Sequence, residues 1–240
     1  VVSCCPHILE KKETEKLKSY RWYSTVVAVF VTCLITANII AVKPVQIAGL
    51  VFPAAVVVFP FAYIFGDILT EVYGYARARQ AIWIGFACNL IAVVAIYLGG
   101  LLPAAGFWPN QTAYDTILGF TPRLLAASFS AYLVGEFLNS TVLAKLKVAT
   151  NGRYLWVRTI GSTLVGELAD SVVFITAAFL GVWPGDQILT GIVTQWGIKV
   201  VYEVIATPLT YAVVGYLKRA EGVDTYDRAT DFTPFKFEIR

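Results

Sequence analysis

The chain has 240 residues, of which 58% are hydrophobic and 15% charged, with a formal net charge of +3. A soluble domain carries about 45–50% apolar and about 25% charged residues. A chain of this length has too little interior to hide the excess, and disorder needs the opposite composition. Soluble enzymes and disordered chains are therefore excluded, leaving an integral membrane protein with several spans. Its mean hydropathy of +0.67 agrees. In such a protein the placement of Lys and Arg says more than their sum, so the +3 is no nucleic-acid signal and no nucleic-acid partner is expected.

A polar tail, residues 1–21, comes first. It holds the single histidine, His7, and the adjacent pair Cys4 and Cys5, read as unpaired thiols. No cleavable leader is expected, because the first apolar run starts near Trp22, after a charged stretch, and is long enough to span. Six stretches reach the roughly 20 apolar residues that a bilayer-crossing helix needs. They are Trp22–Val42, Phe52–Tyr73, Ala81–Leu102, Pro122–Leu146, Val157–Val182 and Val193–Leu217. The expected organisation is a six-helix bundle over 22–217 between polar tails at 1–21 and 218–240, an all-α integral membrane protein. Cys33 and Cys88 fall inside apolar runs, where a thiol behaves as a small hydrophobe.

Charge counting orients the bundle. Sixteen of the nineteen Lys and Arg residues fall in the first tail, in the connections around Arg77 and Arg153, and in the last tail. The positive-inside rule places both termini in the cytoplasm, as an even number of spans requires.

Ionisable groups at membrane depth are costly and carry the functional information. Span two contains Asp67, Thr70 and Glu71, span four Glu136, Asn139 and Ser140, and span five Glu167, Asp170 and Ser171. Each set is spaced i, i+3, i+4, which makes one polar stripe on one helix face. Each first acid follows a glycine (Gly66, Gly135, Gly166), where a neighbour can approach closely. Span six adds Lys199 and Glu203 at i, i+4, and Asn38 and Asn89 are weaker candidates. Glu71 is also placed to mark the end of span two, and Lys199–Glu203 to form an internal ion pair. Taken together, the stripes predict a shared polar cavity.

Carboxylates accept paired donors, so the natural ligands are an amidine-like N–H pair, an amine or a metal cation. Aromatics near the stripes (Phe61, Tyr63, Phe65, Trp196 and Tyr202) favour a flat organic ligand, although ordinary packing accounts for any one of them. A metal site and a cofactor are not expected. No GxSxG elbow, HExxH helix or P-loop is present, so hydrolytic catalysis is unsupported and an enzyme is not expected. Gly66-Asp67-Ile68-Leu69-Thr70 is similar to Gly166-Glu167-Leu168-Ala169-Asp170, in spans expected to run in opposite directions, as in a 3+3 inverted repeat.

Five segments resemble a known family. FPFAYIFGDILTEVYGY (Phe59–Tyr75) is similar to the signature of the queuosine precursor transporters, the VUT family. TPRLLAASFSAYLVGEFLNS (Thr121–Ser140), RTIGSTLVGELADS (Arg158–Ser171) and IKVVYEVIATPLTY (Ile198–Tyr211) agree with it, as does the ending YDRATDFTPF (Tyr226–Phe235). The resemblance implies a six-helix, multi-pass carrier of the bacterial inner membrane for 7-deazaguanine bases such as preQ0 and preQ1, working by alternating access. Asp67 matches the family's motif aspartate, Asp170 its span-five aspartate and Lys199 a basic residue of span six. The candidate substrate-binding set is Asp67, Glu71, Glu136, Asn139, Glu167, Asp170, Lys199 and Glu203, with Tyr63, Phe65, Trp196 and Tyr202 as stacking candidates. The expected partners are the nucleobase and the bilayer, and a homodimer is compatible with so small a bundle. Two other readings stay open: the membrane subunit of an ATPase-driven uptake system, and an intramembrane enzyme acting on lipid.

Overall fold

The computed structural model describes residues 20–47, 50–119 and 122–236. Cys4, Cys5, His7 and the tail lysines Lys11, Lys12, Lys16 and Lys18 lie outside the described residues, as do Thr121 and Arg240. In chain order the elements are α1 (Tyr23–Ile40), β1 (Pro44–Ile47), β2 (Leu50–Pro53), a 3-10 turn (Ala54–Val57), α2 (Phe59–Tyr73), α3 (Tyr75–Leu101), α4 (Gln111–Leu118), α5 (Pro122–Ala149), α6 (Leu155–Phe179) and α7 (Gly185–Glu221). Long apolar runs become helices because a helix satisfies every backbone polar group within its own segment.

Among the described residues, five stretches are long and apolar enough to cross a bilayer: Tyr23–Ile40, Tyr75–Leu101, Gln111–Ala149, Leu155–Phe179 and Gly185–Glu221. The stretch expected as the second span, Phe52–Tyr73, with Pro53 and Pro60 as the residues placed to bend or break it, is not one helix. Its first part is β2, which pairs antiparallel with β1 and sets Val45 opposite Phe52, followed by the 3-10 turn. Helix α2 then has 15 residues, a rise of about 22 Å against a hydrocarbon core of about 30 Å. Two prolines account for the break. Pro53 has no N–H to donate and ends β2, and Pro60 sits in the first turn of α2, where a missing donor costs nothing. The all-helical expectation thus gains one small hairpin. The connection expected at Pro103–Thr121 also carries a helical segment, α4.

The apolar core runs along α2, where Ile64, Ile68 and Val72 meet Val26 and Phe30 of α1, Ala78 and Ala81 of α3, and Val214 and Leu217 of α7. Helices α5 and α6 form the most extensive helix pair. Outward faces are apolar too, with Ile91 and Leu98 of α3 and Val201 and Ile205 of α7 exposed, as lipid contact requires and water would not favour.

One end of the bundle gathers the start of α1, the α2–α3 and α5–α6 turns and the end of α7. The Trp22 and Arg21 amides donate to Glu221 at 2.6 and 3.1 Å, and Tyr23 Oη donates to the Arg77 carbonyl at 2.9 Å. The final stretch, expected as a polar tail from 218, is helical through Glu221 and then folds back onto this end. The Tyr75 amide donates to Asp227 (3.0 Å) and Tyr75 Oη to the Phe232 carbonyl (2.9 Å). Arg79 donates to the carbonyls of Asp231 and Thr233, and the Trp83 indole N–H to that of Pro234. Gly74 makes the sharp turn between α2 and α3 at φ +84°, and a Cβ there would also come within 2.6 Å of Thr225.

Candidate functional site

The three acidic stripes converge because α2, α5, α6 and α7 each turn one polar face inward. Asn139 Nδ2 on α5 donates to Asp67 Oδ1 on α2 at 2.7 Å, and Thr70 Oγ1 bridges to Ser140 Oγ at 3.1 Å one turn further along. On α7, Lys199 Nζ pairs with Glu167 Oε2 of α6 at 2.7 Å and also with Asp170. The alternative i, i+4 pair with Glu203 is therefore not the one Lys199 makes. Its ammonium lies 5.6 Å from the centre of the Tyr63 ring, which is itself nearly parallel to Phe59.

The glycines before each acid set the spacing. A Cβ on Gly66 would sit 3.2 Å from Glu136 Oε2, so the Glu136 carboxylate reaches across to α2 beside Asp67. A Cβ on Gly135 would lie 2.8 Å from Asp170 Cβ, and one on Gly166 would lie 2.6 Å from Asn139 Cβ. Small residues at both positions let α5 and α6 meet backbone to backbone. That approach aligns the Glu136–Asn139 and Glu167–Asp170 stripes.

Burial is deepest at Asp67, 1% exposed, Glu203, 2%, and Ser171, 0%, while the Lys199 and Asp170 side chains keep 13% and 18% exposure. Several polar atoms here accept no hydrogen bond from the chain, namely Asp67 Oδ2, Asn139 Oδ1, Ser171 Oγ and Glu203 Oε1. The amide of Asn139 is oriented by Asp67, since only nitrogen can donate to a carboxylate oxygen, so its oxygen is the free atom. A buried acceptor left without a donor is expensive, and here three acceptors belong to neighbouring stripes. Among the described residues, Asp67, Glu136 and Glu203 have no cation within ion-pair distance, in contrast to Glu167 and Asp170.

The other candidates separate from this cluster. Glu71 continues the α2 stripe, but its carboxylate is held by Arg158 (Nη2 to Oε1, 2.8 Å; Nε to Oε2, 3.1 Å) and by Lys218 at 2.6 Å. Lys147 adds a hydrogen bond to the Glu71 carbonyl and a pair with Asp224 at 2.6 Å. Burial would raise the Asp224 carboxyl, but hydrogen bonds from Lys147 and Lys218 outweigh it and hold the group below the usual aspartate range. Phe65 packs against the apolar core. Trp196 spends its indole N–H on the Leu164 carbonyl at 3.1 Å. Tyr202 is half-buried on α7 beside Glu203, Asn89 is buried on α3, and Asn38 is half-buried on α1.

Two features were not legible as site residues in the sequence. Lys147, Arg158 and Lys218 counted there only as orientation charges, yet they converge on one acid. Tyr132, one turn before Glu136 and on the same face, donates its hydroxyl to the Ile82 carbonyl at 3.0 Å. Its i−4 relation to Glu136 was the available signal.

Residues 53–213, which include every member of the polar cluster, match the family described as putative vitamin uptake transporter. The chain belongs to this family. A probable queuosine precursor transporter of Bacillus subtilis (strain 168) is 35% identical over 181 residues, 74% of this chain and 78% of the relative. The queuosine precursor transporter of Escherichia coli (strain K12) is 28% identical over 167 residues, 70% and 72% of the two chains. A probable queuosine precursor transporter of Haemophilus influenzae is 30% identical over 122 residues, 50% and 49%. No solved structure matches the chain. As a member of a family of vitamin uptake transporters the chain is a transporter, not an enzyme.

Proposed function

We propose that this multi-pass membrane protein imports queuosine precursors, 7-deazaguanine bases, across the bacterial inner membrane. In this reading Asp67, Glu136, Asn139, Glu167, Asp170, Lys199 and Glu203 surround the solute, and Tyr63 is the aromatic surface nearest to it. The observation that carries the reading is the set of buried free acceptors on α2 and on the two helices packed against it, Asp67 Oδ2, Asn139 Oδ1 and Glu203 Oε1. A guanine-like edge brings an N1–H and a 2-amino group, which are donors for such acceptors. Vitamins that are carboxylate anions would meet five acids and one lysine here, and Coulomb repulsion at low dielectric disfavours them strongly. The names of the relatives point to the same class of solute.

Burial of the cluster bears on mechanism. A solute reaches side chains that are 1–2% exposed only if helices move apart, which favours alternating access over an open pore. The hairpin and 3-10 turn complete the sixth span with α2, and non-helical backbone at membrane depth is tolerated where it lies against protein or lines a cavity. Contact between Glu71 near the end of α2 and Arg158 near the start of α6 is in keeping with two segments running in opposite directions, as an inverted repeat needs. Both chain ends lie in the cytoplasm in this reading, with 1–21 and 218–240 flanking the bundle 22–217.

The test is uptake of labelled base by cells unable to make preQ0, with and without this chain. Uptake is expected with the chain present, and Asp67→Asn is expected to lower it about 10- to 100-fold, the loss of one charge-assisted hydrogen bond. Equal uptake with and without the chain overturns the reading. Uptake into liposomes holding this chain alone excludes dependence on a separate ATPase.

A further inference from the structure

The polar cluster is not uniform. One part, Glu167 and Asp170 of α6, already holds a cation, the ammonium of Lys199. The other part, Asp67, Asn139 and Glu203, offers acceptors that neither Lys199 nor any other described cation reaches within ion-pair distance. Asn139 and Ser171 are uncharged, at 7% and 0% exposure, and each keeps an unpartnered oxygen beside the acids. The feature is therefore more than a cluster of acids.

Resting on the reading above, we infer that the site has two subsites: a donor-edge subsite, Asp67–Asn139–Glu203, and a charge subsite, Glu167–Asp170, in which Lys199 is a tethered cation that competes with any cation the solute carries. The donor-edge subsite holds the N–H edge of a planar base whatever its net charge. The charge subsite discriminates. A solute with a neutral side group leaves Lys199 in place. A solute with an ammonium group contests the same two carboxylates, and the flexible four-carbon stem of Lys199 lets its head withdraw. Lys199 thus sets the preference between neutral and cationic members of one class of base. Its position over the Tyr63 ring, 5.6 Å from the centre, places the contest beside an aromatic surface, which a second cation also favours.

The experiment is equilibrium binding of four probes to the purified full chain in detergent. Two are 7-deazaguanines that differ in one group, a neutral 7-cyano and a cationic 7-aminomethyl. The other two are unsubstituted 7-deazaguanine and its analogue lacking the 2-amino group. In the wild-type chain, loss of the 2-amino group is expected to weaken binding about 10- to 100-fold, through acceptors left unpaired. Lys199→Gln is expected to move the cation-to-neutral affinity ratio about 10-fold toward the cation, and Asp170→Asn about 10-fold the other way. Lys218→Gln, in the separate Glu71 cluster, is expected to leave that ratio within about 3-fold, the uncertainty of one such interaction. Asn139→Ala is expected to weaken both 7-substituted probes together.

If the ratio stays fixed in Lys199→Gln and Asp170→Asn, or shifts equally in Lys218→Gln, the division into subsites is wrong while the transport reading stands. Failure of the wild-type chain to bind any 7-deazaguanine overturns both. Indifference of wild-type binding to the 2-amino group sinks the donor-edge assignment whatever the variants do.

Discussion

Glu71 shows what one buried charge does when several partners converge on it. Its side chain is fully buried, and Arg158 and Lys147 are 2% and 1% exposed beside it. Removing the acid would leave these cations uncompensated in a poorly solvated place, and breaking a buried pair from one side costs about 3–5 kcal/mol. Glu71→Gln is therefore expected to lower the thermal unfolding temperature in detergent markedly, with a smaller fall for Lys218→Gln, whose side chain is 22% exposed. A thermal shift series on the purified variants checks the order. Equal, small shifts would mean that the network contributes little.

At the scale of elements, the joint between α5 and α6 governs the site. Gly135 and Gly166 let the two backbones approach, so that Asp170 lies level with Gly135 and Asn139 level with Gly166. The backbone carbonyl of Gly135 would lie 2.9 Å from a Cβ on Gly166, an obstacle that cannot rotate away as a side chain can. Gly166→Ala is expected to cost about 1–3 kcal/mol, the range for overpacking, and to reduce uptake by displacing both stripes. Gly215→Ala, with nothing within 4 Å, is the matched control and keeps wild-type stability. Thermal stability and uptake measured on the two variants decide it. The stripes themselves were readable, since i, i+3, i+4 spacing forces one helix face. Which stripes touch was not, because helix rotation and crossing are set by packing between residues far apart in sequence.

The molecule as a whole has two ends of different character. One gathers the charged turns and the folded-back residues 222–236. The other carries the connection 102–110, where Phe107 is 91% exposed. In a background without Cys4, Cys5, Cys33 and Cys88, Gly106→Cys is expected to react with a membrane-impermeant maleimide on intact cells. Arg228→Cys is expected to react only after permeabilisation. Position 106 tolerates the change, having nothing within 4 Å of an added Cβ. The reverse pattern would invert the orientation drawn from the positive charges.

By itself the sequence determined that the chain enters a membrane, roughly where its helices lie and which residues are too polar for their surroundings. These follow from composition and local periodicity, which are properties of neighbours in the chain. The resemblance to queuosine precursor transporters was also legible, because its motif residues are polar groups inside apolar runs. Only the tertiary structure decided that Glu71 leaves the polar cluster for Arg158, Lys147 and Lys218, and that Lys199 binds Glu167 and Asp170 and not Glu203. It also decided that the second span opens with a hairpin and that the final stretch returns to cap the bundle. Each of these is a choice among partners many residues apart. The energy of a buried charge depends on what surrounds it in space, which helix packing supplies and sequence spacing does not.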